Sequence, residues 1–188
     1  MINDSTIIEQ TQNWVRSVIV GFNFCPFAKH ELESETIHFQ VSHESKLEAC
    51  LHELVQECKR LDEHPEIETT LLIFANAFQN FDDYLDMIEL ANHLIIEQGY
   101  EGIFQLASFH PDYCFEGEST TDAANYTNRS PHPMLHLIRE ASLEQALANY
   151  PEPESIPKRN ITFAREKGLD EMKQMLEHCM QTKENLDD

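Results

Sequence analysis

The sequence predicts an α/β protein, with a small, mostly parallel or mixed sheet of three to four strands, flanking helices and a helical C-terminus. Three observations lead to this fold class. Short runs rich in β-branched and aromatic residues alternate with longer segments of helical periodicity. Their order over residues 1–109 is helix, strand, helix, strand, helix, strand, which implies crossover connections. The last third of the chain has only helical patterns. A mixed sheet of the split β-α-β type is the alternative to a mostly parallel one.

Apolar residues at helical spacing predict three helices in the first hundred residues. The first covers about residues 5–20. The second opens at a capping box formed by Ser45 and Glu48. The third is capped by Asn80 and ends at Gly99.

Three segments between these helices have strand patterns. Residues 36–42 alternate apolar and polar side chains, which predicts a half-exposed strand. Residues 71–75 are continuously apolar, as expected of a central strand buried on both faces. Residues 103–109 form the third predicted strand, and residues 23–30 form a loop.

The regular pattern breaks after the third strand. Residues 110–129 lack a sustained period and are rich in Asp, Asn, Tyr and Thr. A loop of that length inside a domain is usually functional or disordered, and its aromatic residues favour function. Ser130 and Pro131 then predict a new helix over the following apolar residues. Two short helices broken at Gly168 complete a single domain over residues 1–182, and residues 183–188 form an acidic, frayed tail.

The charge of the chain excludes several classes of partner. It has 34 acidic and 13 basic residues, a net charge of -21. Nucleic-acid binding needs a basic patch, so we expect neither nucleic acid nor a membrane surface as partner. The polar N-terminal residues do not resemble a signal peptide, and the apolar runs are too short to cross a bilayer. Five cysteines, an odd number, predict a reduced cytoplasmic protein.

The candidate catalytic residues follow the third strand. His110 and Asp112 come directly after it, and ligands of parallel α/β sheets bind beyond the carboxyl ends of the strands. A histidine titrates near neutral pH, so His110 is the candidate general base, with Asp112 or Asp122 to orient it. The alternative is a histidine that fixes the loop through backbone carbonyls.

The candidate substrate-binding residues belong to the same stretch. Asn125 and Asn128 offer amides, and Arg129 and Arg139 offer guanidinium groups in a chain that is poor in bases. Arg129 precedes a predicted helix N-terminus, where anions bind. The sequence therefore predicts a small anionic molecule as ligand. The alternative is that these arginines neutralise neighbouring acids.

A divalent metal is the cofactor that the histidines suggest. His132 and His136 are four residues apart and would share one face of a helix. His110, Asp112 and His136 are the candidate ligands. The spacing is a weak signal in a chain with ten histidines. The alternative is a His136 that packs among its apolar neighbours with one hydrogen bond.

The remaining motifs are less informative. Cys25 lies between apolar neighbours, which favours a buried structural role over a reactive thiol, and Cys114 stays open as a ligand or thiolate. The chain has no Gly-rich nucleotide motif, no G-x-S-x-G and no H-E-x-x-H.

Three long motifs, at residues 23–28, 109–113 and 125–140, resemble those of an uncharacterised bacterial family known only as a domain of unknown function. The resemblance covers about residues 7–179 and implies that the three segments belong together. It implies no activity. In that family the position of His132 is often another aromatic residue, which leaves His110 and His136 as the better candidate ligands.

Two functions follow from these residues. The first is an enzyme acting on a small anionic metabolite, with His110 as general base or with metal assistance. The sequence favours this function, because titratable and amide groups are concentrated in one loop. The second is a non-catalytic module that binds an anionic ligand or a protein, its acidic exterior meeting a basic partner. The third possibility is a structural loop whose polar groups all form hydrogen bonds with one another. An accessible His110 favours the enzyme, whereas a fully paired loop favours the structural role. The sequence leaves the oligomeric state open.

Overall fold

The computed structural model describes residues 3–148 and 150–182, so the predicted tail at residues 183–188 lies outside the described residues. The described chain divides into two compact units. A helical unit uses the described residues within Met1–Glu33, His110–His132 and Pro151–Asp188. A sheet unit uses Ser34–Phe109 and the described residues within Pro133–Tyr150. The single domain over residues 1–182 stays a prediction.

The sheet unit contains one mixed sheet, which confirms the predicted fold class. Its strands are β1 (Ile37–Ser42), β2 (Thr69–Phe74), β3 (Phe104–Phe109) and β4 (Met134–Arg139), in the order β1-β2-β4-β3. β1 and β2 are parallel, and β4 is antiparallel to both β2 and β3. Every residue of β2 is buried, as the continuous apolar run predicted.

The topology is the split β-α-β arrangement that the sequence allowed as an alternative. β4 lies between β2 and β3 and runs against them, so β1, β2 and β3 point in the same direction. The carboxyl ends of these three strands therefore lie at one edge of the sheet, where a ligand site was expected. His110 follows β3 directly in the chain.

Two long helices, α3 (Leu47–Glu63) and α4 (Phe81–Glu97), cover one face of the sheet. Side chains from both helices and from β2, β3 and β4 share one core, which includes Leu54, Leu61, Leu72, Phe74, Tyr84, Met87, Phe104, Leu135 and Leu137. The Asn80 side chain accepts hydrogen bonds from the backbone N–H groups of Asp82 (2.8 Å) and Asp83 (3.2 Å), which confirms the predicted cap. The Ser45 capping box was wrong, because Lys46 occupies the N-cap of α3 and no side chain caps it.

Tyr84 attaches α4 to the sheet through its hydroxyl group. The hydroxyl donates to the carbonyl oxygen of Met134 at 2.7 Å and accepts the backbone N–H of Phe109 at 3.0 Å. Tyr84 has no solvent-exposed surface. It therefore fixes the end of β3 and the start of β4 against α4.

The helix predicted after Pro131 was wrong, because Met134–Arg139 is β4. Two prolines explain the difference, since a proline keeps the residue before it out of the helical conformation. Pro131 and Pro133 thereby disfavour the helical conformation at residues 130 and 132, which lie outside any helix. The helical four-residue spacing of His132 and His136, which suggested a shared metal, is lost with the helix.

The helical unit begins with α1 (Asp4–Trp14), which continues as a π-helix over Val15–Val20. The predicted helix over residues 5–20 therefore exists, but its last part is wound more loosely. The predicted loop over residues 23–30 contains the start of α2 (Ala28–Glu33). The sheet unit also contributes α5 (Glu140–Ala148).

The C-terminal part of the helical unit matches its prediction. α6 (Ile156–Lys167) and α7 (Leu169–Cys179) are separated at Gly168, whose φ of 86° favours glycine. None of the described helices combines the length and the apolar character that a membrane span requires.

Gly21 ends the π-helix at a position that has no room for a side chain. Its N–H donates to the carbonyl of Arg16 at 3.0 Å, which closes the last wide turn. A Cβ atom at Gly21 would lie 2.1 Å from the carbonyl oxygen of Ser17. The π-helix and the loop that follows it therefore depend on glycine here.

We expect Gly21→Ala to lower the free energy of unfolding by about 1–3 kcal/mol, because the added methyl group overpacks against backbone. Urea denaturation followed by circular dichroism measures the change. Arg16→Ala, an exposed position in the same π-helix, is the matched control and should stay close to wild type. Equal stability of Gly21→Ala and wild type would show that the turn accommodates a side chain.

Candidate functional site

His110, the predicted general base, is enclosed in the helical unit. It has no exposed surface, and its backbone N–H donates to the carbonyl of Asn128 at 3.3 Å. Its Nδ1 accepts the backbone N–H of Asp112 at 3.0 Å, so Nδ1 carries no proton. The loop thus fixes the imidazole through a backbone N–H, whereas the structural alternative considered from the sequence expected backbone carbonyls as its partners.

Neither Asp112 nor Asp122, the two candidate carboxylates, contacts the His110 imidazole through its side chain in any hydrogen bond described here. Asp112 is exposed, and the hydrogen bond that links it to His110 comes from its backbone. Asp122 caps a 3-10 helix over Ala123–Thr127 by accepting the N–H of Ala124 at 2.8 Å. Its carboxylate also receives the guanidinium fork of Arg165 at 2.7 to 3.2 Å. Hydrogen bonding to Arg165 is the main reason that the pKa of Asp122 falls to about 2.

The two asparagines predicted to bind substrate hold turns of the loop together. Asn125 is fully buried, and its Oδ1 accepts the N–H of Phe115 at 3.0 Å. Its Nδ2 donates to the carbonyl of Ser119 at 2.8 Å. The Oδ1 of Asn128 accepts the hydroxyl of Thr127 at 2.9 Å.

Arg129 clamps the same loop. Its Nε donates to the carbonyl of Tyr113 and its Nη2 to the carbonyl of Thr120, both at 3.0 Å. The guanidinium carbon lies 4.6 Å from the ring centre of Tyr126. Among the described residues no helix begins directly after Arg129, so the helix N-terminus on which the predicted anion site depended is not formed there.

Arg139 belongs to the sheet unit and binds the end of α3. Its guanidinium donates to the carbonyls of Leu61, His64 (3.3 Å) and Ile67 (3.0 Å). Carbonyl groups at a helix C-terminus carry partial negative charge, so a cation there stabilises the helix. The interaction accounts for the position of Arg139 without a ligand.

Among the predicted site residues, His136 is the one with a ring nitrogen that can still bind a ligand or accept a proton. It lies on β4, half-buried, and its Nε2 is 2.7 Å from the hydroxyl of Thr69. That hydroxyl donates its single proton to the carbonyl of Leu137, so it must accept the Nε2 proton of His136. Nδ1 then bears a lone pair and makes no hydrogen bond to any residue that the structure describes.

Burial lowers the pKa of the His136 imidazole to about 4, so the ring is neutral at physiological pH. His132 has a similar pKa of about 4 for the same reason, and its Nε2 lies 2.8 Å from Oε1 of Gln10. Neutral imidazoles are suited to accept hydrogen bonds or to bind a metal. In residues 3–148 and 150–182, however, no group of three or more His, Cys, Asp or Glu side chains is arranged to hold a metal ion. The predicted set of His110, Asp112 and His136 therefore gains no support.

The cysteines are all unpaired. Burial raises the pKa of the Cys25 thiol, which keeps it protonated and agrees with a structural role. The Sγ of Cys114 contacts the carbonyls of Phe115 (3.6 Å) and Glu118 (3.5 Å), so this thiol also belongs to the internal bonding of the loop.

A feature that the sequence interpretation missed is the acidic outer side of α4. No lysine or arginine occurs between Arg60 and Arg129, and α4 lies inside that segment. Its exposed residues include Asp82, Asp86 and Glu89, together with large apolar side chains. The sequence contains this segment without lysine or arginine, but the net charge of the whole chain does not show where the segment lies.

Comparison with known proteins gives one match. The model of a family described as "Protein of unknown function (DUF1415)" matches residues 6–174. No curated protein and no solved structure matches the chain. The motifs quoted from the sequence fall within the matched residues.

The ion pair of Asp122 predicts a dependence of stability on pH. Because the folded pKa is about 2, below the ordinary value of 3.8, the unfolded chain binds more protons between these values. The pair thus stabilises the fold above about pH 4 and loses its effect as the pH falls toward about 2. We expect Asp122→Asn to destabilise the protein at neutral pH, with a difference from wild type that shrinks at acid pH. Urea denaturation across this range measures it.

Glu118→Gln is the control for Asp122→Asn. Glu118 also contacts Arg165, at 3.1 Å, but its side chain is 43% exposed and the interaction is screened by solvent. Its replacement should change stability little. A pH-independent effect of Asp122→Asn would contradict the role of the charge.

The ring of His136 provides a second prediction. We expect its NMR titration to have a midpoint near pH 4 and its neutral form to carry the proton on Nε2. Long-range proton–nitrogen correlation spectra measure both properties, and a His136→Gln variant assigns the signals. A midpoint near the ordinary 6.5, or a proton on Nδ1, would contradict the bonding to Thr69.

Proposed function

This chain belongs to the family described as "Protein of unknown function (DUF1415)", and we propose that it is a non-catalytic protein-binding module whose partner carries a basic surface. This is the second of the two functions suggested by the sequence. The observation that carries it is the concentration of uncompensated negative charge on the sheet unit.

The bases of the sheet unit are few, and two of them are already engaged. They are Lys46, Lys59, Arg60 and Arg139. Arg60 donates to the buried carboxylate of Glu57 at 3.0 Å, and Arg139 binds the carbonyls at the end of α3. Only exposed lysines are then left to offset the many acids of this unit. Such a surface attracts a basic partner and accelerates its association.

The condition of the predicted catalytic groups supports the same proposal. A general base must reach its substrate, but His110 has no exposed surface. Asp122 is held by Arg165, and Arg129 is held by two backbone carbonyls. These groups stabilise the loop and leave no cationic pair for a small anion.

The acidic charge also bears on other partners and on location. A surface of this charge repels nucleic acid and anionic lipid, so the proposal includes neither. The five free cysteines fit a reducing compartment, and we place the protein in the cytoplasm as part of the proposal.

An enzyme is the second candidate, and one observation favours it. The Nδ1 lone pair of His136 makes no hydrogen bond within the described residues, and Thr69 fixes the tautomer. A ring held in this way can accept a proton or coordinate a metal. A shift of the His136 ring signals on adding zinc or manganese would favour this candidate.

The proposed function is tested with a fluorescent poly-L-lysine probe and fluorescence anisotropy. Wild type should bind the probe, and binding should weaken as salt rises from about 0.05 M to about 0.3 M, where charges are screened. The variant Asp86→Asn/Glu89→Gln/Glu97→Gln, which removes three charges from α4, should weaken binding about tenfold.

The matched control removes the same number of charges from the helical unit, as Glu116→Gln/Glu154→Gln/Glu166→Gln. These residues are exposed and lie outside the sheet unit. This variant should bind within about twofold of wild type. Equal weakening by both variants would mean that the probe responds to net charge alone, and the proposal would fail.

A further inference from the structure

Helix α4 leaves three large apolar residues exposed. Among the described residues, the large hydrophobic side chains with the greatest exposure are Leu47, Leu85, Leu90, Ile96 and Ile103. Leu85, Leu90 and Ile96 are on α4, and Ile103 follows it closely; Leu85 and Ile96 share one side of the helix, whereas Leu90 lies on another side. Leu85 is 45% exposed and Ile96 is 49% exposed. Scattered exposed leucines are ordinary, but a concentration of them on one helix indicates a binding surface.

The exposed residues form a stripe along the helix. Leu85, Glu89 and Ile96 recur at intervals of four and seven residues, which places them on one side of α4. The α4 outer face is defined as this stripe and its exposed neighbours, Asp82, Leu85, Asp86, Glu89, His93 and Ile96. From Leu85 to Ile96 it extends roughly 16 Å, or three helical turns.

The fold does not need the α4 outer face. The opposite side of the helix supplies the core with Tyr84, Met87, Ala91 and Ile95. The exposed Leu85 and Ile96 are absent from that core. Their exposure leaves apolar surface in water, which burial against a partner would remove.

The charges of the face are likewise unfavourable for the helix itself. Asp82 and Asp86 are four residues apart and Asp86 and Glu89 are three apart, so like charges face each other. Glu97 is acidic in the last turn, where the helix dipole favours a base, and α4 contains no lysine or arginine. The acids of the first turn assist the N-terminus, but the later ones do not.

We propose that the α4 outer face docks an amphipathic helix of the partner protein, in which lysine or arginine residues flank leucine or isoleucine residues. This inference rests on the proposed function, and it adds the docking surface and the form of the partner segment. A helix matches the straight stripe, because it repeats apolar side chains at the spacing of Leu85 and Ile96. Its cations would lie beside Asp82, Asp86 and Glu89.

The negative charge of the α4 outer face favours this partner over a second copy of the same face. A second copy of the α4 outer face would bring acids against acids, which repel across an interface. A segment with interspersed cations and apolar residues satisfies both properties of the face. The charged rim then gives orientation, while the apolar residues give affinity.

The test uses two synthetic peptides of identical lysine and leucine content. One repeats leucine at helical spacing and the other has the same residues in scrambled order, so both carry the same charge. Isothermal titration calorimetry at about 0.15 M salt, where surface charges are partly screened, measures their affinities. We expect the amphipathic peptide to bind at least about tenfold more tightly than the scrambled one.

Variants of the face locate the binding. Leu85→Ser/Ile96→Ser should lose most of the preference for the amphipathic peptide, because the apolar anchors are gone. Leu47→Ser, at an exposed leucine of α3, is the matched control and should keep it. Circular dichroism should show that all variants remain folded, since the replaced side chains are exposed.

The outcomes separate the two proposals. If both peptides bind equally, or if Leu85→Ser/Ile96→Ser binds as wild type does, the docking surface is wrong and the basic partner still stands. If neither peptide binds and poly-L-lysine also fails to bind, both proposals are overturned. A preference that depends on Leu85 and Ile96 supports both.

Discussion

The hydroxyl group of Tyr84 is the interaction on which the sheet unit depends. It satisfies the carbonyl of Met134 and the N–H of Phe109, and neither Tyr84 nor Met134 has exposed surface. An unpaired polar group there would be costly, so the tyrosine side chain, the end of β3 and the start of β4 must stay together. The same bonds fix the rotation of α4 about its axis. They thereby determine that Met87 and Ile95 enter the core, while Leu85 and Ile96 stay outside.

In the polar segment of residues 110–132, a high concentration of titratable and amide side chains stabilises the fold of the segment itself. Its buried groups receive partners from nearby backbone: His110 from Asp112, and Asn125 from Phe115. Buried polar groups that are fully paired specify one arrangement of a chain that has little regular structure. A concentration of histidines, asparagines and arginines is therefore compatible with a structural loop as well as with an active site.

The sequence predicted the fold better than the site, for physical reasons. Strands β1, β2 and β3 were predictable because alternation and continuous apolar runs report local burial. β4 was missed because its short apolar run fits either a strand or a helix. Pro131 favoured the helix, since a proline is also common in the first turn of a helix. The partners of Asp122 and Arg129 were not predictable, because one is a distant Arg165 and the others are backbone carbonyls. A partner that is distant in the sequence, or a backbone carbonyl, produces no recognisable sequence pattern near Asp122 or Arg129.

The insertion of β4 between β2 and β3 has a consequence for synthesis of the chain. When β3 emerges from the ribosome, its neighbour in the sheet has not yet been made, and one edge of β2 is also unpaired. Until β4 arrives, the nascent chain exposes the two strand edges that β4 later covers, and such edges can pair wrongly with other chains. Such long-range pairing also slows folding. The high negative charge of the segment between Arg60 and Arg129, which contains β2, α4 and β3, would keep nascent chains apart during that interval.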